Sequence, residues 1–299
     1  MTGPEMGSSL SGPCISVVIN TLNEENNLPY ALRSVRPWVD EIIVVDMYSE
    51  DRTVEIAREY GAKVYFHPKV VPVESARSFA IAKASGDWIL LLDADEMIPR
   101  PLSNKLIEIA RYDRADVVGI PRLNYMLGAP MMHTRVHPNE DVNLRFFKPG
   151  FLGLTETIHR GSHPVATSRV TYLPYEPGQS IVHFANINLF DILDKVNRYT
   201  TIEAEQSPSR GERPSALRAV ARASKRFFHH YVKGKGYRDG WQGFYVSAAS
   251  ALYVLLTDGK LFELHKHAGR EAVRRLYQGE AEKIIMEYDV TLRSSSHTH

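Results

Sequence analysis

Hydrophobic and polar positions change period repeatedly along the first hundred residues. Residues 14–20, 42–45, 63–67 and 88–92 are short apolar runs without helical spacing and read as strands. Between them, Leu28, Ala31, Leu32 and Val35 recur at helical spacing up to Pro37. A second helix is predicted over 53–60, with Ser49 and Asp51 as caps and Gly61 as its stop, and a third over 75–84, ending near Gly86. Strand alternating with helix predicts an α/β fold, a doubly wound and mostly parallel sheet flanked by helices. The fourth run, Trp88-Ile89-Leu90-Leu91-Leu92, is apolar on both faces, as a central strand must be, and it ends abruptly in Asp93-Ala94-Asp95-Glu96.

In such a sheet, ligands bind beyond the carboxyl ends of the strands, and polar residues gather there. Asn20, Thr21, Asn23 and Glu24 follow the first strand, Asp46 the second, Asp93 and Asp95 the fourth. Two Asp residues one apart can turn toward one hard cation that completes its shell with phosphate oxygens and water. The competing reading is a solvated acidic turn. Asp46 is suited to accept from a base N–H, and Asp93 to reach ribose hydroxyls or a metal-diphosphate. No glycine-rich phosphate loop follows the first strand, so positive charge must hold the phosphates instead: a cation at Asp93/Asp95, and Arg77 from the third helix.

Residues 116–121, 143–147, 170–175 and 180–184 read as further strands with long turns between them. Beyond His183 the pattern becomes helical. One amphipathic helix carries Leu189, Ile192, Leu193, Val196 and Tyr199, and residues 207–214 form a turn-rich loop. A basic, aromatic helix over 216–232 follows, with Arg218, Arg222, Lys225, Arg226, Phe227, Phe228 and Tyr231. An apolar helix reaches Leu256, and a last one contains Ala272, Leu276 and Ile284 or Ile285. The boundaries expected are a loose leader at 1–13, a catalytic domain at 14–186, a helical region at 187–293 and an unstructured tail at 294–299.

Composition narrows the function classes. The chain has 299 residues and a formal net charge of +1, which argues against a general polyanion binder, so no nucleic-acid partner is expected. A single cysteine, Cys14, excludes a disulfide framework and suits a reducing, cytoplasmic setting. No apolar run reaches the roughly 18–20 residues of a membrane span. The basic aromatic helix beside an apolar one is compatible with the anionic inner membrane surface, a packed hairpin or a homo-oligomer contact.

Taken together, Thr21-Leu22-Asn23-Glu24-Glu25, Glu41 to Asp46 with Ser49-Glu50-Asp51-Arg52-Thr53, Ala76-Arg77, and Gly86-Asp87-Trp88 through Asp93-Ala94-Asp95-Glu96 resemble family 2 glycosyltransferases of the GT-A fold. The resemblance implies a nucleotide-sugar donor, usually UDP-linked, and a divalent metal, Mn²⁺ or Mg²⁺. By position it carries Thr21, Asn23, Glu24 and Asp46 to the nucleoside pocket, Asp93 toward ribose and metal, and Asp95 to the metal. Arg145, in Arg145-Phe146-Phe147, resembles the family's Arg-Leu-Phe-like segment, and Glu156 the acidic residue that follows it, the candidate base for an inverting transfer. His183 falls where many such enzymes place a metal-ligating His; a satisfied core His is the alternative. His159 and His163 lie near Glu156 without a spacing that demands a role. Met47-Tyr48 departs from the usual Ser-Gly pair, and Ser78 from the Asn that is common after the Arg. Arg226-Phe227-Phe228, Tyr231, Gly236 to Gly240 and Gly243-Phe244 resemble the branch that includes lipopolysaccharide-core β-glucosyltransferases, implying a glycolipid or envelope-glycan acceptor. A sugar-phosphate nucleotidyltransferase and a silent nucleotide-binding assembly protein remain the alternatives.

Overall fold

The computed structural model describes residues 12–69, 74–154, 162–206, 215–267 and 269–295. Its first part is built from β1 (Ile15–Thr21), α1 (Leu28–Val35), β2 (Glu41–Asp46), α2 (Thr53–Glu59), β3 (Lys63–Phe66), α3 (Glu74–Ile81) and β4 (Trp88–Asp93). β3, β2, β1 and β4 lie side by side, all parallel. The second part is mixed. β5 (Glu96–Met97), α4 (Arg100–Arg111), β6 (Val117–Met126), β7 (Ala129–Pro130), β8 (Val142–Phe147), β9 (Leu152–Leu154), β10 (Ser162–Pro164), β11 (Val170–Tyr172) and β12 (Ile181–Asn186) follow in order. β8 runs antiparallel between β4 and β6, β12 is parallel to β6, and β5 closes this edge antiparallel to β12. The α/β architecture is therefore of the expected GT-A kind, with a parallel half that is doubly wound and a mixed half attached to it.

The strands' continuous apolar character follows from burial on both faces. Val17, Ile19, Leu90 and Leu92 point to one side, into a core with Leu28 and Leu32 of α1 and Leu102 and Leu106 of α4. Val18, Ile43, Ile89 and Leu91 point to the other, with Ala80 of α3. Trp88 stacks on Phe146 at 4.5 Å between ring centres, locking β4 to β8.

Glu41 ties the start of this sheet together. Its buried carboxylate accepts from Ser16 Oγ (2.5 Å), Lys63 Nζ (2.7 Å) and the Ser85 backbone N–H (2.8 Å). Gly86 is required beside it, because a Cβ there would lie 2.7 Å from Ser16 Oγ and 2.9 Å from the Cys14 carbonyl. Burial pushes the Glu41 carboxyl up, but Lys63, Ser16 and Ser85 outweigh it and hold the pKa at about 2. A depressed carboxylate adds stability above its unfolded pKa and loses it as pH falls through the folded value. Glu41→Gln is thus expected to remove about 2 kcal/mol at pH 7, allowing for the exposure of Lys63, and progressively less as pH falls from about 4 through 2. Denaturant midpoints measured across that range check this.

The C-terminal helices are α5 (Leu189–Gln206), α6 (Ala216–Phe228), α7 (Gly240–His267) and α8 (Arg270–Ser295). The basic helix ends differently from the uninterrupted run expected to 232: after Phe228 the backbone widens into a π turn, His229–Lys233, before Gly234. By internal packing the chain forms two units, one up to Leu189 with Arg238–Gly243, the other Phe190–Tyr237 with Phe244 onward. Among the described residues, no helix is long and apolar enough to cross a membrane.

Candidate active site

Register decides which polar residues meet. Thr21 lies opposite Asp46, and Asn20 opposite Asp93, so the tips of β2, β1 and β4 form one polar rim. Asp46 is fully buried; it accepts from Thr21 Oγ1 (3.1 Å), Ser49 Oγ (2.5 Å) and the Ser49 N–H (2.8 Å). Three of its roughly four acceptor positions are filled, leaving room for one further donor. Asn23 sits in the left-handed region (φ 56°); its N–H donates to Ser49 Oγ and its Oδ1 accepts from the Glu50 N–H, both at 2.8 Å. The Glu24 N–H donates to Thr53 Oγ1 at 2.7 Å, and Glu24 Oε2 accepts from Asn27 Nδ2. The expected nucleoside residues are thus joined by a clamp between the loops after β1 and β2. Ser49 serves that clamp rather than α2, whose first N–H, that of Thr53, is met by Asp51 Oδ1 at 3.0 Å. Asn20 Nδ2, in the middle of the rim, is buried without a hydrogen-bond partner, a donor that a bound acceptor group would satisfy.

Tyr48 also adopts the left-handed conformation (φ 62°), where the resemblance expects Gly, and stacks on Phe66 at 5.6 Å. The unusual residue is thus accommodated by strain and an aromatic contact rather than by a different turn.

At the tip of β4 the two aspartates diverge. Asp93 Oδ1 pairs with Arg77 and Oδ2 with Arg145, each at 2.7 Å. Burial raises the Asp93 carboxyl, but the Arg145 and Arg77 guanidiniums hold it well below the usual carboxylate range. Both Asp93 carboxylate oxygens are thus taken by guanidiniums. Asp95 turns instead to His183, 3.3 Å from its Oδ2 to Nε2. Arg77, Asp93 and Arg145 are brought together, and so are Asp95 and His183. Glu156 and His159 lie outside the described residues; His163, on β10, lies opposite Gly153.

A chain of polar contacts joins these two groups, most of which the sequence pattern did not single out. Fully buried Glu96 accepts from Arg145 (3.4 Å), Arg122 (3.2 Å) and the Asp93 N–H (2.9 Å). Arg122 forks onto Asp141 at 2.9 and 3.3 Å. Asn124 Nδ2 donates to Asp141 (2.7 Å) and to the Val136 carbonyl (3.3 Å). Its Oδ1 must then face His183 Nδ1, 2.6 Å away, so Nδ1 carries a proton and Nε2 is the ring nitrogen turned toward Asp95. The available signal was the two-residue spacing of Arg122 and Asn124 within an apolar strand, which puts both on one face.

An unprotonated Nε2 beside a carboxylate is repulsive unless a cation, a proton or a metal ion, lies between them. Two donors on an octahedral cation, each at about 2.1 Å, stand about 3 Å apart, and the 3.3 Å separation fits that. Asn124 and Asp141 then supply the outer hydrogen bonds that orient a ligating His. Among the described residues, no three His, Cys, Asp or Glu side chains converge as a self-sufficient metal cage. A cation here would take its remaining ligands from substrate and water.

Asp239 braces this region from the C-terminal side. It accepts from the N–H groups of Met132 (3.2 Å) and His133 (2.9 Å) and from His133 Nδ1 (2.8 Å). The braced segment leads through Thr134, buried with φ 64°, to Val136 at Asn124. Asp239→Ala leaves two backbone donors unmet and is expected to cost about 1–3 kcal/mol. Hydrogen exchange at the Met132 and His133 amides should accelerate first.

Residues 16–172 match the family model for Glycosyl transferase family 2. An uncharacterized glycosyltransferase of Rickettsia bellii is 29% identical over 259 residues, 84% of this chain and 86% of that protein. The lipopolysaccharide core biosynthesis glycosyltransferase LpsC of Rhizobium meliloti is 27% identical over 270 residues, 87% and 96% of the two chains. Among solved structures, glucosyl-3-phosphoglycerate synthase of Mycobacterium tuberculosis, in complex with Mn²⁺, UDP and glucosyl-3-phosphoglycerate, is 27% identical over 42% of this chain and 51% of that one, with a TM-score of 0.33. With more than half of its length matched by the family model, the chain belongs to glycosyl transferase family 2 and is a glycosyltransferase.

Proposed function

We propose that the enzyme transfers a hexose, glucose first among the candidates, from a UDP-sugar to a sugar hydroxyl of a glycolipid or envelope glycan, with inversion and with Mn²⁺ or Mg²⁺. The observation that carries this reading is the Asp95–His183 pair, with His183 Nδ1 committed to Asn124 Oδ1 and Nε2 turned to the carboxylate. Imidazole favours Mn²⁺ over Mg²⁺. A cation held by Asp95 and His183 would offset the charge that builds on the departing diphosphate.

The protein's own groups do the rest. Thr21, Asn23, Glu24 and Asp46 seat the nucleoside, with Asp46 using its remaining acceptor position. Arg77 and Arg145 keep Asp93 ionised and fixed to receive ribose hydroxyls, and their positive charge lies where the diphosphate would be. Glu156 takes the proton from the acceptor hydroxyl as its oxygen attacks the anomeric carbon and the bond to the nucleoside diphosphate breaks. Residues 14–186 form the donor-binding and catalytic domain and 187–293 a helical region. The acceptor class is supported by LpsC, named for lipopolysaccharide core biosynthesis, which aligns over nearly its whole length. The donor sugar is supported by glucosyl-3-phosphoglycerate synthase of M. tuberculosis, 35% identical over 109 residues. Such an acceptor places the enzyme in the cytoplasm, at the inner face of the membrane.

The test is a donor panel with and without Mn²⁺, followed by transfer to extracted envelope lipids. UDP-glucose with Mn²⁺ is expected to raise the melting temperature most, and the product linkage to be β. An α product from the α donor would overturn the inverting mechanism, and an equal response to donors without metal would overturn the role of the cation.

A further inference from the structure

The helix α6 presents two different faces. Ala219, Ala223 and His230 are buried, and Phe227 packs inward, stacked with Tyr231 at 5.3 Å and edge-on to Phe244 at 5.7 Å. These contacts absorb the aromatic residues that stood out in the sequence. The opposite face stays in water. Leu217 is 80% exposed, Val220 53%, Phe228 62% and, one turn beyond, Val232 53%. Residues 217, 220, 221, 224 and 228 recur at three- and four-residue spacing, so Leu217, Val220 and Phe228 make one apolar stripe with only Ala and Ser between them.

Along one edge of that stripe run Arg218, Arg222 and Lys225, all exposed, with Arg226 next to them. Arg222 makes an ion pair with Asp258 at 2.9 Å. From 213 to 238 the chain contains no Asp or Glu. A protein of net charge +1 has thus concentrated cations beside exposed leucine, valine and phenylalanine.

We infer that this face of α6 docks on an anionic lipid surface, the apolar stripe entering the interface and the basic edge meeting headgroup phosphates or carboxylates. A neutral apolar partner would offer the exposed cations along this edge no opposite charge. An identical copy would bring two basic rows together across a twofold contact, where like charges repel. An anionic bilayer answers both features, and because no described helix is long and apolar enough to cross it, the association would be interfacial. The inference deepens the envelope-acceptor reading by naming the element that would bring the enzyme to its substrate's compartment, but its readout needs no turnover.

The experiment is co-sedimentation of the full chain with extruded vesicles of phosphatidylethanolamine and phosphatidylglycerol, against vesicles of phosphatidylcholine alone, at low and high salt. Binding to the anionic vesicles is expected to be at least tenfold tighter and to weaken with salt. Leu217→Ser with Phe228→Ser should weaken it at least tenfold without moving the melting temperature, because both side chains already face water. Arg218→Glu with Lys225→Glu should abolish the difference between the two vesicle types. Equal binding to both vesicles, no effect of either double variant, or a dimer in sedimentation velocity that the Leu217/Phe228 variant dissolves would each overturn the proposal. Metal-dependent UDP-sugar hydrolysis, measured on the same preparations, reports separately on the transferase reading.

Discussion

Asp95→Asn is expected to lower turnover by on the order of 10²–10³-fold or more while leaving the fold intact. The substitution keeps the shape of the side chain and removes the negative charge facing His183 Nε2. The hydrogen bond between the Asp95 carbonyl and the Phe184 N–H, which holds β5 beside β12, belongs to the backbone and survives. Stability should therefore move by less than about 1 kcal/mol. Donor binding measured with Mn²⁺ should weaken, whereas donor binding measured in EDTA, already weak, should not change. His183→Ala should reproduce the pattern more mildly, because Asp95 would still offer an oxygen. A variant that lost activity together with its melting transition would instead mean that Asp95 is structural.

The second large effect is on stability. Arg145→Met is expected to cost about 3–5 kcal/mol, because it removes the cation that Asp93 and the fully buried Glu96 share, leaving Asp93 to Arg77 and Glu96 to Arg122. That corresponds to a fall of roughly 6–20 °C in the melting temperature. The pH dependence gives a second check. In the wild type, Asp93 is held well below the ordinary carboxylate range, burial opposing this but Arg145 and Arg77 prevailing. Its contribution is therefore present above the unfolded pKa and lost only as pH falls through the lower folded value. Without Arg145 the folded pKa of Asp93 rises, so the gap between wild type and variant should be widest near neutrality and narrow on acidification toward pH 4 and below. Unfolding curves at several pH values measure this directly. A gap that stayed constant with pH would mean that lost packing, not uncompensated charge, accounts for the cost.

Arg145 also shows what the sequence pattern could and could not reveal. Its position beside two phenylalanines marked a strand, and the family likeness marked the Arg, but not how it reaches Asp93. In the register, Val118 pairs with Phe146 and Gly119 with Leu144, so Arg145 is the extra residue of a β-bulge. The bulge breaks the alternation and lets Arg145, Phe146 and Phe147 all be buried. Gly119 sits at the same place, where a Cβ would collide with the Tyr172 ring. No local period encodes such a departure, because it arises from the pairing of two strands distant in sequence.

By contrast, the parallel half was legible because its signals are local. Apolar runs, helix stops and strand-end acids succeed one another in chain order, and the crossover rule then fixes how they assemble. The polar chain from Glu96 through Arg122, Asp141 and Asn124 to His183 was not legible. Its members are spread over β5, β6, the turn before β8 and β12, and apart from His183 each looks alone like an ordinary polar residue in a mixed segment. Asp93 and Asp95 are neighbours in sequence, yet one faces two arginines and the other a histidine.

The most direct test of the account is the position of a bound cation. Crystals grown with Mn²⁺ and UDP and measured at the manganese absorption edge should show one strong anomalous peak within about 2.3 Å of both an Asp95 carboxylate oxygen and His183 Nε2, next to the UDP diphosphate. A peak away from this pair, or UDP bound in the rim with no peak beside it, would contradict the assignment of Asp95 and His183 as the metal-holding centre.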